Sequence, residues 1–124
     1  MEGALTLEDK LRRSQRYNRG IIEAVPAPML VVDAGFGITD VNEQAVTLTG
    51  RPRAELIGSP LDEHFAIPPP SVDAIREMFG SGTDSEFELT LKDFVAGDRA
   101  LSFRASIFHD PDGARRGVMV FTGE

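Results

Sequence analysis

The C-terminal third of the chain alternates apolar and polar residues with a period of two, over residues 87–91 and again over 101–109. This pattern is typical of a β-strand that has one buried face and one face in water. The turn Asp110-Pro-Asp-Gly113 follows, since proline presets φ and glycine readily adopts a left-handed conformation. A last apolar run covers 117–121. The sequence therefore predicts three consecutive antiparallel strands in this third.

The first two thirds of the chain predict two more strands, followed by short helices. The apolar run 29–32 is short and rich in β-branched residues, which favours a strand, and the glycine-containing turn 33–37 leads to a second strand at 38–41. Helices are predicted at 43–49, 53–57 and 72–79, with a helical turn at 60–65. The expected fold class is α+β, with one five-stranded antiparallel sheet and short helices on one of its faces.

An N-terminal amphipathic helix is predicted within residues 1–24, ahead of a domain that spans 25–124. From Leu7 onward, apolar residues recur at a spacing of three and four, and Ser14 and Asn18 interrupt the same stripe. Such a stripe is typical of a coiled-coil seam, on which a buried asparagine can fix the register of two helices. The alternative is an amphipathic helix packed on its own domain. We expect a homodimer that forms partly through this helix.

The charge balance argues against a nucleic-acid partner. The chain has 20 acidic and 13 basic residues and a net charge of -7, whereas a nucleic-acid binder needs a basic surface to neutralise phosphates. The dense basic stretch at 10–19 fits a solvated helix face. No apolar run approaches the roughly 20 residues of a membrane span, and the N-terminus lacks the apolar part of a signal peptide. A soluble, cytoplasmic protein is expected.

Catalytic and metal-binding patterns are missing from the sequence. The chain contains no cysteine, which excludes disulfides, thiolate zinc sites and cysteine nucleophiles. Neither His64 nor His109 has an evident serine and aspartate partnership, and the two histidines lack metal-ligand spacing. His64 is expected to be a surface or capping residue, and His109 to be solvated at the end of its strand. No catalytic residue and no metal site are predicted, and we expect that the chain is not an enzyme.

The ordered series of turns, caps and strands resembles the PAS family over about residues 20–124. The resemblance implies a sensory and dimerisation domain of a larger signalling protein, with a histidine kinase or a similar output domain. Members of the family commonly continue from the last strand into a signalling helix, and because this chain ends at 121–124 we expect a piece of a longer protein. The segments that carry the resemblance are 22–33, 37–45, 48–50, 55–58, 88–91, 108–113 and 117–120.

The resemblance also bears on cofactors. Some PAS domains hold flavin or another chromophore through a cysteine, and the absence of cysteine excludes both here. Haem-binding members use a histidine on the long helix before the third strand, and the matching segment 72–79 has none, so haem is not expected. Non-covalent flavin stays open, and no cofactor is assigned. The aromatic residues that could contribute, although they more often form an ordinary core, are Phe65, Phe79, Phe87 and Phe103.

If the chain binds a small molecule, the site is expected between the concave face of the sheet and the helices. The residues predicted to line this pocket are Leu30, Val32, Val46, Ile75, Phe79, Phe87, Leu89, Phe103, Ala105 and Val120. Burial of each such side chain stabilises the fold by about 1.5–3 kcal/mol, so a core filled by them needs no ligand. Two functions remain open. One is a sensory module that relays the state of a ligand or partner to an output domain, and the other is a constitutive dimerisation or protein-docking module without a ligand.

Overall fold

The computed structural model describes residues 25–92, 97–110 and 112–123. One antiparallel sheet of six strands forms its centre. In chain order the strands are β1 (Met29–Asp33), β2 (Ile38–Val41), β3 (Phe65–Ala66), β4 (Ser85–Leu91), β5 (Arg99–His109) and β6 (Arg115–Gly123). Across the sheet the order is β2-β1-β6-β5-β4-β3, so the last strand lies in the middle, between the first and the fifth.

The described part of the chain has four helices, all between β2 and β4. They are α1 (Glu43–Thr49), α2 (Arg53–Leu56), α3 (Leu61–His64) and α4 (Pro69–Ser81). Asn42 is the N-cap of α1, and the helix ends at Gly50, whose positive φ of 70° suits glycine. Two prolines open α4, where the first backbone N–H groups need no partner within the helix. Capping residues and prolines therefore lie at most of the helix boundaries.

Two aspartates build the two tight turns that the sequence predicts. The Asp33 carboxylate accepts hydrogen bonds from the N–H groups of Gly35 at 3.0 Å and Gly37 at 2.9 Å, between β1 and β2. The Asp110 carboxylate accepts one at 2.9 Å from the Ala114 N–H, between β5 and β6. Because each side chain satisfies backbone donors that the turn leaves free, the turns hold their strands in register.

The predicted α+β class is confirmed, but the sheet has six strands rather than five. The sixth strand is β3, whose two residues pair with the end of β4, and so short a strand leaves no alternation in the sequence. The predicted helix 72–79 is longer, Pro69–Ser81, because prolines are compatible with a first helical turn. The predicted N-terminal helix 1–24 and part of the predicted turn 95–98 lie outside the described residues.

The sheet buries apolar side chains on both of its faces. On the inner face, side chains of all four central strands and of the helices form the larger buried cluster. The outer face carries a smaller cluster made by Met29, Val31, Phe108 and Val118, each at most 2% exposed. Both faces of β1 are therefore buried, which explains why this strand reads as a continuous apolar run instead of an alternating one.

Candidate functional site

The structure brings nine of the ten predicted pocket residues to the inner face of the sheet. Eight of them are buried members of the inner cluster, and Val46 of α1 packs against that cluster, which makes nine. Their side chains are closely packed, and even the most exposed of the eight, Phe79 and Phe87, are only 8% exposed. That these residues line a ligand site stays a prediction.

The prediction that places Val120 on the inner face is wrong. Val120 packs against the outer cluster, whereas its neighbours Met119 and Phe121 belong to the inner side. β6 is apolar at consecutive positions, so alternation alone cannot tell which residues point inward. The pairing with β1 decides it, because Met119 lies opposite the inward-facing Leu30 and Val120 lies opposite the outward-facing Met29.

Side chains that were not assigned to the pocket close the inner face. Phe65 contacts Phe103 edge to face with ring centroids 6.1 Å apart, and Phe103 contacts Phe121 in the same way at 6.0 Å. Met78 of α4 and Met119 of β6 are buried in the same cluster. The inner face is thus filled by the chain's own side chains, at the close packing that is usual for a protein core.

Helix α4 packs closely against Gly117 of β6. A Cβ atom at this position would lie 3.2 Å from Met78 Cε, 3.3 Å from Phe79 Cζ and 3.4 Å from Val32 Cγ2. Arg115, also on β6, donates hydrogen bonds to carbonyls at the C-terminal end of α4, including that of Phe79. Packing and hydrogen bonds therefore join α4 directly to the central strand.

His64 is buried at the end of α3, with 3% of its side chain exposed, so the expectation of a surface histidine is wrong. Its Nε2 lies 2.8 Å from Ser59 Oγ and 3.6 Å from Glu63 Oε2. The sequence shows no evident serine and aspartate partnership for His64, and the structure places one serine, Ser59, beside it. A spacing of five residues places the pair on no common helix face, and the contact depends on the turn between α2 and α3.

The Ser59–His64 contact belongs to a local hydrogen-bond network. Ser59 Oγ lies 2.6 Å from the Leu56 carbonyl oxygen and 2.8 Å from His64 Nε2. Which atom of the Ser59–His64 pair donates depends on the tautomer of His64. The backbone of Ser59 also accepts from the Ile38 N–H at 2.8 Å, and the pair thereby ties this turn to β2.

The surroundings of His64 favour its neutral form. Burial lowers the pKa of His64 below its ordinary 6.5, because an imidazolium would lose its contacts with water, and the guanidinium of Arg51 lowers the pKa further. The carboxylates of Glu63 and Glu55 and a backbone hydrogen bond with Glu55 act in the opposite direction without reversing the shift. His64 is therefore neutral in the folded protein at neutral pH.

We expect the free energy of unfolding to decrease as the pH falls from about 7.5 to about 5.5. Below pH 6.5 the unfolded chain binds a proton at His64, whereas the folded chain, with its lower pKa, binds that proton only at still lower pH. The unfolded state holds more protons in this window, so acidification favours unfolding. Urea denaturation followed by circular dichroism at several pH values measures the slope.

Two histidine variants control this measurement. His64→Gln should flatten the slope, because it removes the group whose pKa differs between the folded and unfolded states. His109→Gln is the matched control, because it removes the histidine that the structure confirms to be exposed. The same slope in the wild type and in His64→Gln would show that another group causes the pH dependence.

Neither a cluster of metal-binding side chains nor a cysteine that could hold a cofactor is found among the described residues. Within 25–92, 97–110 and 112–123, no three His, Cys, Asp or Glu side chains lie together as a metal site would require. A cysteine-linked cofactor does not fit the chain, which has no cysteine. None of the described helices has both the length and the apolar character needed to cross a membrane.

Comparison with known proteins identifies a family and solved structures that are similar to this chain. A family model described as the PAS fold matches residues 16–122. No curated protein matches the chain.

Three solved structures illustrate the shared fold. The PAS domain of an HTR-like protein from Haloarcula marismortui is 16% identical, with a TM-score of 0.69 over 86% of this chain and 88% of that chain. The PAS domain of nitrogen regulation protein NR(II) from Vibrio parahaemolyticus is 14% identical, with a TM-score of 0.67 over 86% and 96%. The photoactive yellow protein domain of the sensor histidine kinase Ppr from Rhodospirillum centenum is 23% identical, with a TM-score of 0.64 over 85% and 99%. At these low sequence identities, the structural similarity shows that the three domains share the fold of this chain.

Proposed function

The chain belongs to the PAS family, and on this premise we propose that it is a regulatory module of a longer signalling protein. A change of state at its helical face is passed through the sheet to an output domain, such as a histidine kinase. Proteins of the same fold include a domain of a sensor histidine kinase and a domain of a nitrogen regulation protein, which supports this class of function. The input must interact differently with two states of the module, since only then can it shift their populations.

The contact between α4 and β6 carries this proposal. β6 lies in the middle of the sheet, hydrogen-bonded to β1 and β5. Since α4 packs on β6 at Gly117 without an intervening side chain from that residue, a displacement of the helix acts directly on the strand. The same strand runs on to Gly123, near the C-terminal end of the chain. In this proposal, a displacement of α4 therefore reaches the output domain through the single strand β6.

A constitutive docking module without a small-molecule ligand is the second candidate, and the filled inner face favours it. A ligand between the sheet and the helices would have to displace side chains such as Phe65 and Phe103, which are at most 1% exposed. Expanding a closely packed core costs free energy, and ligand binding would have to offset that cost. For the regulatory module proposed first, the same close packing favours a protein contact as the input.

A homodimer formed partly through residues 1–24 belongs to the same proposal. It is supported by the apolar stripe that starts at Leu7. A coiled-coil seam needs a second helix to cover it, and a second copy of the chain supplies that helix.

Native mass spectrometry of the purified chain tests the ligand and the dimer together. We expect the mass of two polypeptides with no added small molecule, and no thermal shift across a panel of metabolites. Deletion of 1–24 should convert the dimer into a monomer. A co-purified molecule that stabilises the chain would favour ligand sensing instead, and a dimer that survives the deletion would exclude the N-terminal helix as its main interface.

A further inference from the structure

Two open depressions adjoin one another at the rim of the helical side, outside the buried inner face. Their volumes are about 360 and 400 Å³, and Phe36, Asp62 and Arg76 line both of them. One depression extends along Pro60 beside the turn between β1 and β2, and the other extends along Val72 of α4. Together they form one continuous groove, called here the Phe36 groove.

Phe36 has a backbone conformation that costs free energy. Its φ of 68° lies in the left-handed region, which bulky residues rarely adopt. Two hydrogen bonds hold it there, from the Phe36 N–H to the Asp33 carbonyl at 3.0 Å and from the Leu61 N–H to the Phe36 carbonyl at 2.7 Å. Glycine would adopt this conformation without strain, so the ring contributes something that glycine cannot. The ring is half-buried, and it packs on the inner cluster while it lines the groove.

The groove carries two cations and a carboxylate that do not neutralise one another. Within the part of the chain that the structure describes, neither the exposed guanidinium of Arg76 nor the carboxylate of Asp62 makes a hydrogen bond or ion pair. Lys92 Nζ donates to the backbone carbonyl of Asp62 at 2.7 Å, which leaves two of its three N–H donors. On a chain with a net charge of -7, these cations are a local site for an acidic group.

We propose that the Phe36 groove binds a segment of a partner protein, with an apolar side chain on Phe36 and an acidic side chain beside Arg76 and Lys92. An open groove cannot enclose most of a small molecule, as small-molecule sites do, whereas a protein segment gains further contacts along and beyond the groove. The strand β3, an edge of the sheet in the described part of the chain, lines the same groove through Phe65 and Ala66. The proposal deepens the proposed function, since it places the partner against α4.

A titration followed by two-dimensional ¹⁵N NMR tests the proposal with a defined probe, the blocked peptide acetyl-Gly-Leu-Glu-Gly-amide. We expect shifts of amides along the groove, at Gly35, Gly37 and Lys92. The charge-reversed peptide, with lysine in place of glutamate, should bind more weakly. Arg76→Gln should weaken binding of the first peptide about three- to tenfold, because it removes one charge-assisted contact. Arg76 has no partner in the described structure, so this variant should stay folded.

A matched control uses another exposed arginine. Arg104 pairs with Glu86 at 3.1 Å on the outer face, and Arg104→Gln should leave peptide binding unchanged. Equal binding of the two peptides, unchanged binding by Arg76→Gln, shifts confined to the outer face, or no shifts at millimolar peptide would each overturn the proposal. Equal shifts with sodium acetate at the same ionic strength would overturn it too, since they would show a site for any anion. The titration reports on the groove alone, so its failure leaves the tests of the proposed function unaffected.

Discussion

Replacement of Asn42 by alanine is expected to lower the free energy of unfolding by about 3–5 kcal/mol. Asn42 is fully buried, and its side chain makes three hydrogen bonds. Oδ1 accepts from the N–H groups of Met29 at 3.0 Å and Ala45 at 2.9 Å, and Nδ2 donates to the Ala27 carbonyl at 2.8 Å. Alanine would remove the side-chain partner of the Met29 N–H and of the Ala27 carbonyl, and it would leave the Ala45 N–H only its 3.1 Å bond to the Asn42 carbonyl. Each buried group left unsatisfied costs about 1–3 kcal/mol.

The size of this effect follows from the place of Asn42 in the fold. One side chain joins the start of β1, the end of β2 and the first turn of α1, so its loss weakens contacts of three elements at once. Small domains are stable by only about 5–15 kcal/mol, and the variant would therefore lose a large part of the total.

Urea denaturation of three variants measures the Asn42 effect. Asn42→Ser should lose less than Asn42→Ala, because a serine hydroxyl can still cap the Ala45 N–H. Gln44→Ala, which removes an exposed amide from the same helix, should change stability by no more than about 0.5 kcal/mol. A loss below about 1 kcal/mol for Asn42→Ala would contradict the assigned role.

The predicted parts of the fold are those whose cause is local in sequence. The alternation in β4 and β5, the turn at Asp110 and the N-cap at Asn42 each depend on neighbouring residues, and each is confirmed. β3 could not be predicted, because two residues become a strand only when β4 lies beside them. The facing of Val120 likewise depends on the distant pairing with β1.

Most residues of the inner face could be predicted from the sequence, whereas the burial of His64 could not. Met78 follows Ile75 by three positions on α4, a helical spacing that would have predicted its burial. No such signal marks His64. Its burial results from how α2 and α3 fold back on β2, and its partner Ser59 lies at a spacing that fits neither a helix nor a strand.

Under the proposed function, substitution of Gly117 by alanine should change the output of a signalling protein that carries this domain, while the domain stays folded. The added methyl group would lie 3.2 Å from Met78 Cε and 3.3 Å from Phe79 Cζ, so these two side chains of α4 have to give way by a few tenths of an ångström. Alanine normally stabilises a strand relative to glycine, because glycine loses more conformational freedom on folding. Here overpacking should instead destabilise the domain, by about 1–3 kcal/mol. The opposite sign would show that the side chains between α4 and β6 cannot give way without strain.

The control is the same substitution at a glycine with free space around it. Gly80 of α4 has no atom within 4 Å of an added Cβ, so Gly80→Ala adds a methyl group to the helix without pushing it from the sheet. Both variants are built into the full-length protein that carries this chain, and the activity of its output domain is measured beside the wild type. Our account predicts a change of more than about twofold for Gly117→Ala and none for Gly80→Ala. Equal output from the two variants, with both domains folded, would contradict a relay from α4 through β6.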